Sequence, residues 1–209
     1  MNTGAPPIEI YTGGVAATNA FWWEAPEGTV LVDAPEGVVD WLVAAGRGVS
    51  VLLLTHQHFD HVWDARKVAD QWDCPILAHS AYGKHLTLET LLASIPGLDV
   101  SVSPYEVSTV LAGEEQLEMA GCSFGLAHIP GHSPDSLVYH DASAGHIFGG
   151  DTLFAGGIGR TDFPGGSLPL LQHGIREKML PMGDEATLFP GHGETTLLGE
   201  ERRTNPFLR

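Results

Sequence analysis

An apolar run, VSVLLL at 49–54, is followed directly by THQHFDH, and this junction constrains the fold and function of the chain more than any other stretch. A continuous β-branched and leucine run is typical of a strand that is buried on both faces. The heptapeptide after it contains four potential metal ligands in six positions: His56, His58, Asp60 and His61. Imidazole nitrogen and carboxylate oxygen are the ligands that zinc and similar divalent ions take. A surface loop with Asp60 as a helix cap would explain one such residue but not four. The junction therefore predicts a metal site at the end of a buried strand.

Three further candidate ligands each follow a predicted strand and have proline or glycine beside them. They are His132 in HIPGHSPDS, Asp151 directly after HIFGG, and His192 in LFPGHG. Glycine allows the backbone to come close to whatever the neighbouring side chain binds. Each residue alone could be bonded to a nearby loop, but their repeated context predicts that they complete the metal site.

Strand and helix patterns alternate along the chain and fall into two strand-rich halves. Predicted strands span 8–11, 19–23, 29–34, 49–55 and 74–79 in the first half, and 108–112, 116–120, 122–129, 136–140, 146–150 and 187–190 in the second. Helices are predicted over 36–45, 62–72 and 167–180, and the region 80–100 is predicted to begin as a helix and continue as a loop around Pro96-Gly97. No linker stands out. The pattern predicts an α/β fold in one domain over 1–209, an αββα sandwich of two packed sheets covered by helices.

The charge balance excludes several classes of partner. The chain has 10 basic and 26 acidic residues, a net charge of −16 and no basic cluster, so it is not expected to bind nucleic acid or an anionic membrane. No apolar run approaches the ~20 residues of a membrane span. The N-terminal MNTGAPPIEIYTGG lacks the regions of a secretory signal, so a cytoplasmic location is expected. Cys74 and Cys122 do not form a CxxC pair and are expected to be reduced thiols.

Four motifs, THxHxDH, PGHSPDS, GGDTLF and PGHGE, occur in this order and resemble those of the metallo-β-lactamase-fold superfamily. The resemblance runs from about residue 8 to the C-terminus and implies the αββα sandwich of that fold. It also implies a dinuclear site with two ligand sets and one bridging carboxylate. The first set is His56, His58 and His132, the second set is Asp60, His61 and His192, and the bridge is Asp151.

Such a site implies two divalent metal ions, with zinc expected first and iron or manganese as alternatives for the same ligands. Two ions about 3.5–4 Å apart share a water and lower its pKa toward neutrality. The resulting metal-bound hydroxide would attack a carbonyl that an ion polarises, without a serine or cysteine nucleophile. Asp60 is also placed to orient the hydroxide and accept its proton, which makes it the candidate catalytic residue.

The segment DTLFAGGIGRTDFPGG at 151–166 resembles glyoxalase II, the hydroxyacylglutathione hydrolases, in which a basic residue nine positions after the bridging aspartate contacts glutathione. Arg160 occupies that position and could pair with a substrate carboxylate, or it could pair internally with Asp162 or a loop carbonyl. The C-terminal KMLPMGDEATLFPGHGETTLLGEERRTNPFLR resembles the end of short bacterial glyoxalase II-type proteins. The resemblance implies hydrolysis of a small-molecule hydroxyacyl thioester such as S-lactoylglutathione.

Several departures leave other functions open. The helical domain that holds glutathione in longer glyoxalase II enzymes is expected to be absent, since 17 residues follow His192, and Asp162 stands where those enzymes have a tyrosine. Mononuclear-iron persulfide dioxygenases share the ligands and a segment very similar to GRTDF at 159–163. Lactonases of the fold are a further alternative, although Phe154 counts against them, because they usually have a tyrosine at that position. Dioxygenase and lactonase are therefore the alternative functions, and the oligomeric state is not predicted.

Overall fold

The computed structural model describes residues 7–93 and 100–209, and the first six strands in it form one mixed sheet in the order β1-β2-β3-β4-β5-β6. These strands are β1 Glu9–Gly13, β2 Thr18–Ala25, β3 Gly28–Val32, β4 Val51–Leu53, β5 Ile76–Ala78 and β6 Thr109–Val110. The first three pair antiparallel, and β3 to β6 run parallel, which requires long connections that can hold helices. The helices in these connections are α1 Val38–Ala44, α2 Phe59–Val62, α3 Ala65–Trp72 and α4 Glu89–Leu92.

The second sheet has the order β14-β13-β10-β9-β8-β7. Its strands are β7 Gln116–Met119, β8 Cys122–His128, β9 Leu137–Asp141, β10 His146–Gly150, β13 Thr187–Pro190 and β14 Thr196–Leu197. Only β10 and β13 pair in parallel within it. A small hairpin of β11 Leu153–Phe154 and β12 Gly157–Ile158 follows β10. Helix α5 spans Leu168–Gly174, continues as a π-helical turn over Ile175–Met179 and a 3₁₀ turn over Leu180–Met182, and α6 spans Leu198–Thr204.

Side-chain alternation along the strands divides the apolar residues into three buried layers. On β3, Leu31 packs against the layer that contains α1 and α3, whereas Val30 and Val32 face the second sheet. On β10, Phe148 faces the first sheet and Ile147 packs with the layer that contains α5. The layers are therefore helix, sheet, sheet and helix, which confirms the predicted αββα sandwich.

The helix predicted over 62–72 is interrupted, because the chain uses Asp64 to hold the segment before α1. The buried Asp64 carboxylate accepts the Gly37 N–H at 2.8 Å, and the Asp64 N–H donates to the Ala34 carbonyl at 2.9 Å. A backbone N–H that is bonded to another segment does not continue the helical ladder. The interruption is thus a tertiary effect that the local periodicity does not show.

Helix α6 is not predicted from the sequence, since LGEERRT contains a single leucine and has little apolar periodicity. A buried carboxylate holds this helix instead. Glu201 accepts hydrogen bonds from the Gly156 N–H at 2.8 Å, the Thr196 hydroxyl at 2.8 Å and the Asn205 amide at 2.9 Å. Because its anchor is polar, the helix leaves no periodic signal in the sequence.

Among the residues that the structure describes, no helix combines the length and apolarity needed to cross a membrane. The prediction that the region 80–100 begins as a helix is wrong: residues 80–88 form turns and irregular chain, and helix α4 starts only at Glu89. The predicted loop around Pro96-Gly97 lies outside the described residues. The cytoplasmic location and the single-domain organisation stay predictions.

Backbone and side-chain bonds join the two sheets at the edge where β4, β10 and β13 end. The Leu137 N–H donates to the Thr55 carbonyl at 2.7 Å, and the Asn19 N–H donates to the Gly191 carbonyl at 2.7 Å. The Asn19 amide also donates to the Pro190 carbonyl at 3.0 Å. The Gly191 N–H donates in turn to the Gly150 carbonyl at 2.9 Å, which ties the turn after β13 to the end of β10. These bonds hold the ends of the three strands in place at this edge.

Candidate metal centre

The seven predicted ligands lie together at this edge, and each is placed by a strand end or by the turn that follows it. They are His56 and His58 after β4, Asp60 and His61 in α2, His132 between β8 and β9, Asp151 after β10, and His192 after β13. Five of them are buried, whereas Asp60 and His192 are partly exposed. These two residues therefore mark the side of the cluster that solvent reaches.

Three imidazoles form what we call the first ligand group, His56, His58 and His132. Their ring centroids are 4.6 Å apart for His56 and His58, 4.9 Å for His56 and His132, and 4.5 Å for His58 and His132. One nitrogen from each ring lies within 4.8 Å of the others. Three imidazoles at this spacing can bind one cation from three directions.

The second ligand group consists of Asp60, His61 and His192, and Asp151 lies between the two groups. Asp151 Oδ1 is 3.3 Å from His61 Nε2, and its Oδ2 is 3.3 Å from His192 Nε2. The same Oδ2 is 3.4 Å from His132 Nε2 in the first group. One carboxylate thus reaches both groups, as a bridging ligand must.

Several buried polar atoms of the cluster have no hydrogen-bond partner among the described residues. These atoms are His56 Nε2, His61 Nε2, His132 Nε2 and Asp151 Oδ1. Buried polar groups are almost always bonded, so an unpartnered set that faces a common point requires an explanation. Metal cations at that point would satisfy all four atoms, and the residues therefore fit the metals that the sequence implies.

The remaining nitrogens of three imidazoles are bonded on the outside of the cluster. His61 Nδ1 donates to Asp33 Oδ2 at 2.8 Å, and His132 Nδ1 donates to the Arg160 carbonyl at 2.8 Å. His56 Nδ1 lies 3.2 Å from the Thr55 hydroxyl oxygen, whose own proton is donated to Asp33 at 2.7 Å. A proton on each Nδ1 leaves the Nε2 lone pair pointing into the cluster, which is the tautomer that a metal ligand needs.

Burial determines the charge of the first ligand group. Burial lowers the pKa of His56 well below its ordinary value and that of His58 to about 3. The pKa of His132 is also lowered by burial. The imidazoles of this group are therefore neutral at pH 7, with lone pairs free to bind a cation.

The carboxylates control the charge of the second ligand group. Burial would lower the pKa of His61, but Asp60 and Asp151 outweigh it and hold the pKa well above its ordinary value. Burial likewise disfavours the charged form of His192, yet its bonds to Asp151 and Asp60 raise the pKa to about 9. The carboxylates thus attract positive charge to this point, and a metal ion that binds there displaces protons.

Arg160 lies at the rim of the centre and is paired within its own loop. Its Nε and Nη2 donate to the two carboxylate oxygens of Asp162 at 2.7 and 2.6 Å, and its side chain is 56% exposed. The guanidinium carbon lies 4.0 Å from the centroid of the Phe163 ring. The internal pair that the sequence left open is thus formed, and contact with a substrate carboxylate stays a proposal.

Two side chains that support the ligands are not singled out by the sequence motifs. Asp33 is fully buried behind His61, and Thr18 donates its hydroxyl to Asp60 Oδ2 at 2.6 Å. An aspartate at the end of the apolar run TVLV is a signal that could have identified Asp33. Thr18 lies in β2, and nothing in its local sequence indicates its role.

Gly191 precedes His192 and lies so close to the ligands that a side chain there would displace them. A Cβ at this position would collide with Asp151 Oδ1 and lie 2.6 Å from His61 Cε1. We therefore expect Gly191→Ala to lower metal affinity at least about tenfold, as measured by competition with a chelator. The matched control is Gly48→Ala, where an added Cβ would meet only the Trp72 ring at 3.8 and 3.9 Å, an ordinary van der Waals contact, and it should keep its metal. Equal affinity in both variants would mean that the loop moves to admit a methyl group.

Comparisons with known proteins agree on one family. The family model described as the metallo-beta-lactamase superfamily matches residues 13–192. A protein of Haemophilus influenzae described as hydroxyacylglutathione hydrolase GloC is 33% identical over 196 residues, which cover 89% of this chain and 90% of that protein.

Two solved structures share the fold over nearly its whole length. The crystal structure of the BLEG-1 B3 metallo-beta-lactamase has a TM-score of 0.84 and 29% identity, and covers 97% of this chain and 99% of that one. The crystal structure of TTHA1623 in a di-iron-bound form has a TM-score of 0.83 and 33% identity, and covers 96% of this chain and 100% of that one.

Proposed function

The chain belongs to the metallo-beta-lactamase superfamily and is a metallo-hydrolase of that fold, and we propose that its substrate is a hydroxyacyl thioester of the S-lactoylglutathione type. One observation carries this proposal. The seven-ligand centre lies in a chain that is 33% identical, over most of its length, to a hydroxyacylglutathione hydrolase.

We further propose that two divalent ions occupy the centre, one held by each ligand group, with Asp151 contributing to both. Zinc is the expected metal. Iron is the first alternative, because a 33%-identical relative has been crystallised with two irons, and manganese is compatible with the same ligands. When bound, such ions polarise a substrate carbonyl and activate water as a nucleophile near neutral pH.

Asp60 is the side chain that we assign to proton transfer. Burial would raise the pKa of its carboxyl group, but His61 and the bond to His192 hold this pKa well below its ordinary value, so Asp60 is ionised at pH 7. The Thr18 hydroxyl fixes Oδ2 at 2.6 Å, and the side chain stays 13% exposed. The carboxylate is thus oriented, charged and open to solvent, so it can accept a hydrogen bond from an attacking water and orient it. Because its pKa is low, we assign it to relaying the proton of that water rather than to keeping it.

The chemistry of the leaving group favours a thioester. When water adds to the acyl carbon and the carbon–sulfur bond breaks, the sulfur leaves as a thiolate, whose conjugate acid has a pKa of about 8.5. Such a group needs no proton donor to depart. An amide nitrogen must be protonated before it leaves, and the proton that Asp60 takes from the water would have to reach it. A thioester therefore makes the smaller demand on this centre.

The test compares four reactions of protein loaded separately with zinc, iron and manganese. They are hydrolysis of S-lactoylglutathione, hydrolysis of an acyl-homoserine lactone, hydrolysis of a chromogenic β-lactam, and oxygen uptake with glutathione persulfide. We expect thioester hydrolysis to exceed the other three and to require two metal equivalents per chain. Absent thioesterase activity with rapid oxygen uptake in the iron-loaded protein would instead establish a persulfide dioxygenase.

A further inference from the structure

The loop that carries Arg160 also carries the carboxylate that neutralises it. Asp162 accepts hydrogen bonds on both of its oxygens, from Nε at 2.7 Å and from Nη2 at 2.6 Å. This is the side-on, two-point geometry by which a guanidinium binds a carboxylate. A carboxylate of the chain thus occupies the edge of Arg160 that a substrate carboxylate would use.

The position of Arg160 is fixed from below by an aromatic ring. The guanidinium carbon lies 4.0 Å from the centroid of the Phe163 ring. A cation in this position is attracted to the face of the aromatic ring. The same ring meets the His58 ring edge to face, at 5.8 Å between centroids, and packs against a satellite cluster with Leu88 and Leu92. Arg160 is therefore held beside the first ligand group, although its side chain is 56% exposed.

We propose that Asp162 is a specificity-determining residue that competes with the carboxylates of the substrate for Arg160. This inference rests on the proposed thioesterase function. The chain carries a net charge of −16, so a negatively charged thioester approaches an acidic protein. The contacts above place the cation of Arg160 at the rim, and Asp162 cancels its charge. Asp162 thereby weakens the binding of thioesters whose thiol carries a carboxylate and leaves the binding of thioesters of neutral thiols unchanged.

The size of this effect follows from the exposure of the pair. The side chains of Arg160 and Asp162 are 56% and 65% exposed, and ion pairs in such positions are weak because water screens them. A substrate carboxylate can therefore displace Asp162. Removal of the Asp162 charge should therefore raise the affinity for an acidic substrate by a modest factor, of about two- to fivefold.

Two thioesters with the same acyl group test the proposal: S-lactoyl-3-mercaptopropionate, which carries one carboxylate, and S-lactoyl-N-acetylcysteamine, which is neutral. We expect Asp162→Asn to lower KM for the acidic thioester about two- to fivefold, leaving kcat and the neutral thioester unchanged. The effect should disappear in an Arg160→Ala background and weaken at high ionic strength. The matched control is Asp70→Asn, which removes one charge from the exposed Arg66–Asp70 pair on α3 and should change neither KM.

Three outcomes would overturn the proposal: an unchanged KM for the acidic thioester, an equal shift for both thioesters, or a higher KM, which would mean that Asp162 orients Arg160 for binding.

If metal-loaded protein hydrolyses neither thioester, the proposed function fails. A binding measurement then still decides the role of Asp162. S-methylglutathione cannot be hydrolysed, and calorimetry should show that it binds Asp162→Asn more tightly than the wild type and Asp70→Asn no differently.

Discussion

Replacement of Asp151 by alanine is expected to release metal from both ligand groups and to lower kcat/KM about 10³-fold or more. The carboxylate of Asp151 lies within 3.3 to 3.4 Å of ligand nitrogens on His61, His132 and His192, so it belongs to both groups. Loss of this group should therefore affect the two ions together rather than one of them. Elemental analysis after dialysis gives the metal content per chain, and thioester hydrolysis gives the activity.

Two controls separate this effect from unfolding. Asp70→Ala removes an exposed aspartate of α3 and should retain both metals and full activity. Thermal unfolding in the presence of a chelator should show that Asp151→Ala is folded, because its effect is expected through the metals. Retention of two ions per chain with full activity would show that Asp151 does not bridge, and loss of one ion would assign it to a single group.

The seven candidate ligands can be identified in the sequence because each is encoded locally, and the structure brings them together. THQHFDH concentrates four of the seven candidates directly after a buried strand, and proline or glycine beside the other three indicates a tight turn. These turns follow strands of both sheets, and the strands end at the same edge of the sandwich, so the turns come together there. The two layers of strands are likewise predicted from short apolar runs, and the structure confirms them.

The supporting residues could not be predicted in the same way, because their roles depend on partners far along the chain. Thr18 and Asp60 are 42 positions apart, and the bond between them exists only because β2 lies beside α2 in the fold. The same holds for Asp64, whose tertiary bonds interrupt a helix that the periodicity predicts as continuous. The sequence leaves open whether Arg160 pairs with a substrate carboxylate or within its own loop. Only the geometry of the loop shows that Asp162 is bonded to it.

Asp33 is the supporting residue whose replacement should have the largest effect on stability. It is fully buried and accepts three hydrogen bonds, from the Thr55 N–H at 2.8 Å, the Thr55 hydroxyl at 2.7 Å and His61 Nδ1 at 2.8 Å. Its backbone φ of 60° lies in the left-handed region, where aspartate and asparagine are tolerated better than alanine. Asp33→Ala therefore leaves buried donors unpaired and adds backbone strain.

We expect Asp33→Ala to lower the free energy of unfolding by about 3–5 kcal/mol, measured by denaturant titration with a chelator present so that metal binding does not contribute. Asp33→Asn keeps one oxygen acceptor and the tolerated backbone conformation, so its loss of stability should be smaller.

Metal affinity distinguishes a structural role of Asp33 from an electrostatic one. A carboxylate that accepts the Nδ1 proton of a metal-binding histidine orients the ring and raises its basicity, and loss of such a partner costs about 10–100-fold in affinity. His61 belongs to the second ligand group, so the metal bound there should weaken in Asp33→Asn even though that variant folds. Chelator competition measures this affinity for each ion. If Asp33→Asn bound both ions as tightly as the wild type, the charge of Asp33 would have no part in metal binding, and its role would be confined to holding Thr55 and the end of β4.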